Sequence, residues 1–154
     1  MENTVSVGLL GLGVVGSGVI KIIEEHQEDL VHRLGRGVKV EKVLVRNIEK
    51  ARQVDIDENL LTTNSDDVLK NPNIDIIVEV MGGVDDARTY ILEALQAKKH
   101  VVTANKDLIA LHGPELERVA RKNGCDLFYE ASVGGGIPLL RGVADGLVSD
   151  RIQQ

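Results

Sequence analysis

Residues 5–18 read VSVGLLGLGVVGSG. An apolar run typical of a strand leads directly into Gly11-x-Gly13-x-x-Gly16, and apolar residues at helical spacing follow it. In a strand–turn–helix unit, Gly11 permits the tight turn, Gly13 lets the backbone approach a pyrophosphate, and Gly16 lets the helix pack on the strand. The first N–H groups and the dipole of the helix would face the phosphates. The segment therefore predicts a dinucleotide-binding turn, and the alternative is a glycine-rich turn without a ligand.

Composition narrows the class of protein. A length of 154 residues corresponds to about one domain. The net charge of −6 argues against nucleic acid or an anionic membrane as a general partner, and two Tyr, one Phe and no Trp provide no stacking platform for bases. The single cysteine, Cys125, excludes an internal disulfide and argues against a cysteine-based zinc site. Without a membrane-spanning run or a signal sequence, the expected location is the cytoplasm.

Strand-like and helix-like segments alternate along the rest of the chain. We expect strands at about 5–10, 38–45, 60–61, 74–80, 100–103 and 126–129, and helices at about 14–34, 68–70, 86–97, 107–123 and 137–147. Such an alternation predicts an α/β fold, a Rossmann-type doubly wound and mainly parallel sheet with helices on both faces.

Three details of the helices are also predicted. The first helix should bury Val15, Val19, Ile22 and Ile23. Ser65 should cap the short helix over 68–70, and Gly113-Pro114 should interrupt the helix over 107–123.

Few residues of the chain remain to form a substrate-binding surface opposite the cofactor. In open α/β sheets the ligand lies outside the carboxyl ends of the strands, and a substrate needs protein opposite the cofactor. After the sheet and its helices are assigned, few of the 154 residues remain to form that surface. We therefore expect residues 1–154 to be the nucleotide-binding domain of a longer enzyme, without its substrate and dimerisation domain. A free-standing Rossmann-type protein is the alternative.

The end of the second strand bears on which nicotinamide dinucleotide would bind. An Asp or Glu there would accept hydrogen bonds from the ribose 2′-OH, whereas the strand ends in Val45-Arg46-Asn47. Arg46, with Lys50 or Arg52 nearby, favours NADP, because a guanidinium suits a 2′-phosphate. NAD remains open, since an arginine can also stack on the adenine or be an ordinary surface charge.

The stretch Glu79-Val80-Met81-Gly82-Gly83 ends a central strand. Glycines there would let the chain pass the nicotinamide side of a cofactor, which makes Gly82 a candidate cofactor-binding residue. A plain strand-to-helix turn is the alternative. Glu79 stands in an apolar run, so its side chain should be paired or at the rim.

The stretch Thr103-Ala104-Asn105-Lys106 follows a strand and begins a helix. Lys106 would therefore lie at the carboxyl edge of the sheet, where it could orient a carbonyl or carboxylate or assist proton transfer. A cation opposes the helix dipole in a first turn, so a functional role stands beside the alternative of a solvated lysine.

The stretch from Tyr129 to Pro138, YEASVGGGIP, is a second glycine-rich exit from a strand. Glu130 with backbone carbonyls is an all-oxygen ligand set, which suits a hard cation rather than zinc. The alternative is a loop before a helix that begins at Pro138.

Four segments in this order, GLGVVGSGV from Gly11, EVMGG at 79–83, TANK at 103–106 and EASVGGGIPLL at 130–140, resemble homoserine dehydrogenase. The last two segments are specific to that family, and the first is shared by many dehydrogenases. The resemblance covers essentially the whole chain but only the N-terminal, nucleotide-binding part of the family. It implies an oxidoreductase that interconverts L-homoserine and L-aspartate 4-semialdehyde with NAD or NADP in threonine, isoleucine and methionine biosynthesis.

The resemblance also implies roles for individual residues. The glycine turn would hold the pyrophosphate, and Lys106 would lie near nicotinamide and substrate as a catalytic and cofactor-binding residue. Glu130 and the carbonyls of Val133, Gly135 and Ile137 match the monovalent cation site of the family, which takes Na⁺ or K⁺. The residues of the turn that carry this prediction are Gly11, Leu12, Gly13, Val14, Val15 and Gly16.

The chain differs from the family in the residues that bind the substrate and transfer the proton. The substrate carboxylates and the proton-transferring lysine of the family belong to a segment beyond residue 154, as does the dimerising domain of what should be a homodimer or homotetramer. We therefore expect this chain to bind a dinucleotide and to turn over no substrate. Alternatives are a non-catalytic dinucleotide-binding regulatory module and a dehydrogenase of another amino acid.

Overall fold

Six parallel strands form one sheet in the order β3-β2-β1-β4-β5-β6 in the computed structural model, which describes residues 4–132. The strands are β1 Val5–Leu10, β2 Val38–Leu44, β3 Leu61–Thr62, β4 Ile76–Glu79, β5 His100–Thr103 and β6 Leu127–Phe128. The helices are α1 Val14–Glu25, α2 Gln27–Leu34, α3 Asp66–Leu69, α4 Asp85–Gln96 and α5 Lys106–Asn123, with 3-10 turns at Glu58–Leu60 and Glu130–Ser132. This is the strand order of a dinucleotide-binding Rossmann sheet.

Helices cover both faces of the sheet because successive residues of a strand point in opposite directions. Leu10 is fully buried in one core with Ile91 of α4 and Leu108 of α5. The neighbouring Leu9 is fully buried in a second core with Ile20 of α1. The predicted α/β Rossmann-type fold is therefore confirmed.

The predicted first helix, 14–34, is two helices. The backbone of His26, at φ −112° and ψ 23°, leaves the helical region and separates α1 from α2. The bend places α2 beside β2, where the amide of Gln27 donates to the carbonyl oxygen of Val38 at 2.5 Å. This contact accompanies the break, and it joins residues in two different elements that the local sequence does not bring together.

The buried face of α1 also differs from the prediction. Val15 and Ile22 are 57% and 59% exposed, so their assignment to the inner face was wrong, while Val19 and Ile23 are half-buried. The residues of α1 that are buried against the sheet are Gly16, Ser17 and Ile20. The first two are small, and Ile20 directly follows the predicted Val19. Small residues let the helix pack closely on the strands, while Val15 and Ile22 remain on its solvent-exposed side.

The predicted interruption of α5 was wrong, since the helix continues through Pro114. Buried residues anchor α5 on both sides of the proline, with Leu108 before it and Leu116 after it. Glu115 also receives two hydrogen bonds from Arg88 of α4. Packing against α4 and the sheet therefore offsets the helix hydrogen bond that proline cannot make.

The remaining boundaries shift by a few residues. β3 begins at Leu61, because Leu60 closes a 3-10 turn, and α3 begins at Asp66. Ser65 makes no capping hydrogen bond; the side chain of Asn64 instead accepts from the N–H of Asp66 at 3.2 Å. The helix expected over 137–147 lies outside the described residues. None of the helices within 4–132 has the length and apolar character needed to cross a membrane.

Candidate dinucleotide-binding site

A cavity of about 430 Å³ opens at the carboxyl ends of β1, β2 and β4. The strand order changes direction beside β1, which has β2 on one side and β4 on the other. Crevices at such switch points are where open α/β sheets bind their ligands. The lining comes from the glycine turn, the loop after β2, the exit of β4 and one face of α4, including Gly11–Gly13, Arg46, Asn47, Lys50, Arg52, Val80, Met81, Asp86 and Tyr90.

The glycines of the turn meet different demands. Gly11 has φ +99°, and a Cβ there would lie 3.0 Å from the Cα of Met81. A Cβ on Gly16 would lie 2.4 Å from the carbonyl oxygen of Gly11. A Cβ on Gly13 would meet no atom of the described chain within 4 Å. The fold therefore requires Gly11 and Gly16, while the backbone at Gly13 borders open space.

The start of α1 faces this space without a side-chain cap. Gly13 is the N-cap residue, and the first turn of the helix contains no acidic residue. Val14 and Val15 are 79% and 57% exposed, so they do not cover the helix terminus. The first N–H groups of a helix lack partners within it, and here they are available to an anion.

The loop after β2 presents three positive side chains to the same cavity, and one of them has a structural task. The guanidinium of Arg52 donates to the carbonyl oxygens of Ile48, at 2.7 Å, and Lys50, at 2.6 Å. It also donates to the carbonyl oxygen of Asn47 at 2.5 Å. Arg52 therefore holds the loop in shape, while Arg46 and Lys50 are exposed at the cavity.

The residues present suit a dinucleotide phosphate group. The Nε of Arg52 is buried and has no hydrogen-bond partner within residues 4–132. A buried donor without a partner is costly, but an atom without exposed surface does not meet a ligand in the cavity, so the fit rests on the exposed Arg46 and Lys50. The open backbone at Gly13 and the uncapped start of α1 add hydrogen-bond donors to this positive charge.

The exit of β4 combines an exposed loop with a buried carboxylate. Gly82 and Gly83 are exposed and have φ +77° and +76°, a region that favours glycine. Glu79 is fully buried, as its place in an apolar run allowed, and its carboxylate accepts from the N–H of Met81 at 2.9 Å and the hydroxyl of Thr103 at 2.6 Å.

Lys106 is the first residue of α5, one residue earlier than the predicted start. Its side chain is exposed, and its ammonium makes no ion pair with any part of the chain that the structure describes. The preceding Asn105 caps the helix by accepting from the N–H of Leu108 at 3.1 Å, and it donates to the carbonyl oxygen of Gly83. The loops that carry Gly82 and Lys106 are therefore joined.

Glu130 begins the 3-10 turn after β6 and is half-buried. Its predicted partners in a cation site, Val133, Gly135 and Ile137, lie outside the described residues, so this site stays a prediction. Within 4–132 there is no group of three His, Cys, Asp or Glu residues that could hold a metal ion.

Sequence reasoning missed three residues of this region. Thr103 and Ser132 join the buried network at Glu79, because the hydroxyl of Ser132 donates to the carbonyl oxygen of Thr103 at 2.8 Å. Tyr90 of α4 lines the cavity. The available signal for Thr103 is a polar residue at the end of an apolar strand, whereas the positions of Ser132, in the turn after β6, and of Tyr90 depend on packing.

Comparison with known proteins identifies relatives of the whole described region. Residues 11–130 match the family model of the homoserine dehydrogenase NAD-binding domain. The chain is 55% identical to homoserine dehydrogenase of Bacillus subtilis over 150 residues, and 44% identical to that of Synechocystis. These alignments cover 97% of this chain but 35% and 34% of the relatives, so the chain spans about a third of their length.

Solved structures agree. A homoserine dehydrogenase from Thiobacillus denitrificans superposes with a TM-score of 0.88 at 41% identity, covering 98% of this chain and 35% of that one. The Staphylococcus aureus enzyme at pH 7.5 gives 0.80 at 44% identity, covering 85% of this chain and 34% of that one. This chain belongs to the family of homoserine dehydrogenase NAD-binding domains.

Proposed function

We propose that this chain is the nucleotide-binding domain of a longer NAD(P)-dependent homoserine dehydrogenase, which interconverts L-homoserine and L-aspartate 4-semialdehyde. The observation that carries the proposal is the open space beside Gly13 at the uncapped start of α1. The relatives named homoserine dehydrogenase support the reaction, and their greater length supports the longer parent enzyme.

In the proposed mechanism, the nicotinamide ring supplies a hydride acceptor or donor, and the chain binds and orients the dinucleotide. The backbone of Gly11–Gly16 binds the diphosphate, with the N–H groups and dipole of α1 directed at its charge. The loop at Gly82 lies at the exit of β4, beside the strand that precedes Lys106. The ammonium of Lys106 attracts a carbonyl oxygen or carboxylate of the substrate toward the nicotinamide end.

We infer that NADP is preferred over NAD. The described chain has no carboxylate in the Val45-Arg46-Asn47 segment to accept from a ribose 2′-OH, and it places Arg46 and Lys50 at the cavity. Arg52 supports this preference by holding the carbonyl oxygens of the loop, which leaves the outward side chains to meet a 2′-phosphate.

The remaining elements of the proposal concern the parent enzyme. Glu130 with the carbonyls of Val133, Gly135 and Ile137 would hold Na⁺ or K⁺. A homodimer or homotetramer in the cytoplasm, acting in threonine, isoleucine and methionine biosynthesis, is the proposed context. Residues beyond this chain would supply the substrate carboxylates and the proton-transferring lysine, so we expect the chain alone to bind a dinucleotide without turning over homoserine.

A titration of the purified chain tests the proposal. NADH and NADPH are added while nicotinamide fluorescence is recorded, and calorimetry gives the dissociation constants. We expect saturable binding at one site per chain, with the tighter binding for NADPH. Absence of binding of both nucleotides to a folded chain would contradict the dinucleotide site, and equal affinity would contradict only the NADP preference.

A further inference from the structure

A buried polar network joins the carboxyl ends of β4 and β5. Glu79 and Thr103 are partners in the register of these strands, and both are fully buried. One carboxylate oxygen of Glu79 accepts from the hydroxyl of Thr103, and the other accepts from the N–H of Met81. Glu79 makes no ion pair within the described residues, so hydrogen bonds alone satisfy its carboxylate.

The same network extends to the loops above the sheet. The hydroxyl oxygen of Thr103 accepts from the N–H of Asn105 at 3.1 Å. Asn105 caps α5 and donates to the carbonyl oxygen of Gly83. Together, these hydrogen bonds link the loop after β4 to the first turn of α5, which begins with Lys106.

The location of the network suggests what it serves. A dinucleotide that crosses the sheet at the β1 switch point places its adenosine half over β2 and its nicotinamide half toward β4 and β5. Arg46 and the other basic residues lie on the β2 side, and the network lies on the β4–β5 side. A network with Glu79 and Thr103 buried at its centre and Asn105 at its surface therefore connects both loops that flank the nicotinamide half.

We propose that Glu79, Thr103 and Asn105 are positioning residues for the nicotinamide half of the dinucleotide, acting through the Gly82-Gly83 loop and Lys106. This inference rests on the proposed dinucleotide function. It differs from a purely structural role because it predicts a loss confined to one half of the ligand. The adenosine half contacts the other side of the switch point and is unaffected.

The test compares each ligand with its nicotinamide-free counterpart on the full 154-residue chain: NADPH against 2′-phospho-ADP-ribose, and NADH against ADP-ribose. Thr103→Val keeps the shape of the side chain and removes the hydroxyl, whereas Thr103→Ser keeps the hydroxyl. Asn105→Ser retains an N-cap oxygen but is too short to reach Gly83. Thermal melting and circular dichroism establish that each variant is folded.

We expect Thr103→Val and Asn105→Ser to weaken binding of the whole dinucleotide about tenfold, with a change of less than about twofold for the nicotinamide-free ligand. The fluorescence of bound NADPH should shift toward that of the free nucleotide. Thr103→Ser, which keeps the hydroxyl, should have the dinucleotide affinity and the bound-NADPH fluorescence of the wild type. If Thr103→Val does not fold, Asn105→Ser decides the question alone, because it leaves the buried carboxylate paired.

Three results would overturn the inference. Equal losses for both ligands would indicate a purely structural network, and unchanged affinities and fluorescence in Asn105→Ser would show that the Gly83 link has no role. Equal affinities of the wild-type chain for each dinucleotide and its counterpart would show that the nicotinamide half is not held. If wild-type chain bound none of the four ligands, the proposed function itself would fail.

Discussion

The carbonyl oxygen of Gly11 lies where a Cβ on Gly16 would have to be, with a separation of only 2.4 Å. The turn after β1 and the first turn of α1 are therefore too close together for any side chain at residue 16. Gly16→Ala would force the helix away from the sheet, where Ser17 and Ile20 are buried. We expect the free energy of unfolding to fall by about 1–3 kcal/mol, measured by denaturant titration. A variant as stable as wild type would show that the turn can move without cost.

Gly13 should behave in the opposite way, because a side chain there meets no protein atom within 4 Å in the described structure. Gly13→Val should leave the chain folded, with an unfolding free energy lower by about 1 kcal/mol because valine is a poorer N-cap than glycine, and abolish measurable binding of NADH and NADPH in calorimetry. The control is Gly18→Ala in the same helix, where the space is also open. That variant should bind normally, and unchanged affinity in Gly13→Val would refute the phosphate cradle.

Arg46 should decide between the two nicotinamide dinucleotides. Arg46→Asp replaces an exposed cation at the cavity by a carboxylate, which repels a 2′-phosphate and can accept from a 2′-OH. We expect NADPH affinity to fall at least about tenfold, with NADH affinity unchanged or improved. Arg36→Asp makes the same change of charge at the opposite edge of the sheet, where Arg36 borders a separate cavity beside His100. Equal losses in the two variants would point to general electrostatics.

The sequence alone predicts the parts of this fold that depend on local chemistry. The apolar run before Gly11 and the helical spacing after Gly16 suffice for β1, the turn and α1. The four central strands of the sheet, β2, β1, β4 and β5, follow from apolar runs that both faces of a parallel sheet bury. The roles of Gly11 and Gly16 were also predictable, since the turn and the close packing each exclude a Cβ.

What the sequence does not predict depends on distant partners. Gln27 contacts Val38 where α2 departs from the direction of α1, and the pair formed by Arg88 and Glu115 joins α4 to α5 beside Pro114. Arg52 illustrates the same limit in the site, because its charge suggested a phosphate ligand while its guanidinium holds three carbonyl oxygens. A charge can be seen in the sequence, but its hydrogen-bond partners cannot.

Lys98 offers a gain in stability at the end of α4. It is the one non-glycine residue with positive φ in the described chain, at +60°, whereas α2 and α5 end at Gly35 and Gly124 with φ of +70° and +68°. Lys98→Gly should raise the unfolding free energy by about 0.5–1 kcal/mol, because glycine adopts this conformation without a Cβ clash. Lys98→Ala keeps the Cβ and should show no gain. A gain in both variants would attribute the effect to charge.

Arg88 and Glu115 connect α4 to α5 through two hydrogen bonds, of 2.8 and 2.6 Å, and this pair should make stability depend on pH. The hydrogen bond from Arg88 lowers the pKa of Glu115 below its ordinary value of 4.5. Between the lowered pKa and 4.5, the unfolded chain binds more protons at this position than the folded chain, so stability rises with pH in that window. The contribution is complete above pH 4.5 and is lost as pH falls through the lowered pKa.

The comparison of wild type with Glu115→Gln isolates this effect, since glutamine resembles the protonated carboxyl at every pH. Wild type should be the more stable of the two at pH 7, and the difference should shrink below pH 4.5 and vanish in stronger acid. Asp107→Asn changes an exposed carboxylate in the first turn of α5 and serves as the control for the general loss of negative charge. A stability difference between wild type and Glu115→Gln that stays constant from pH 7 to strong acid would mean that the carboxylate charge does not hold the two helices together.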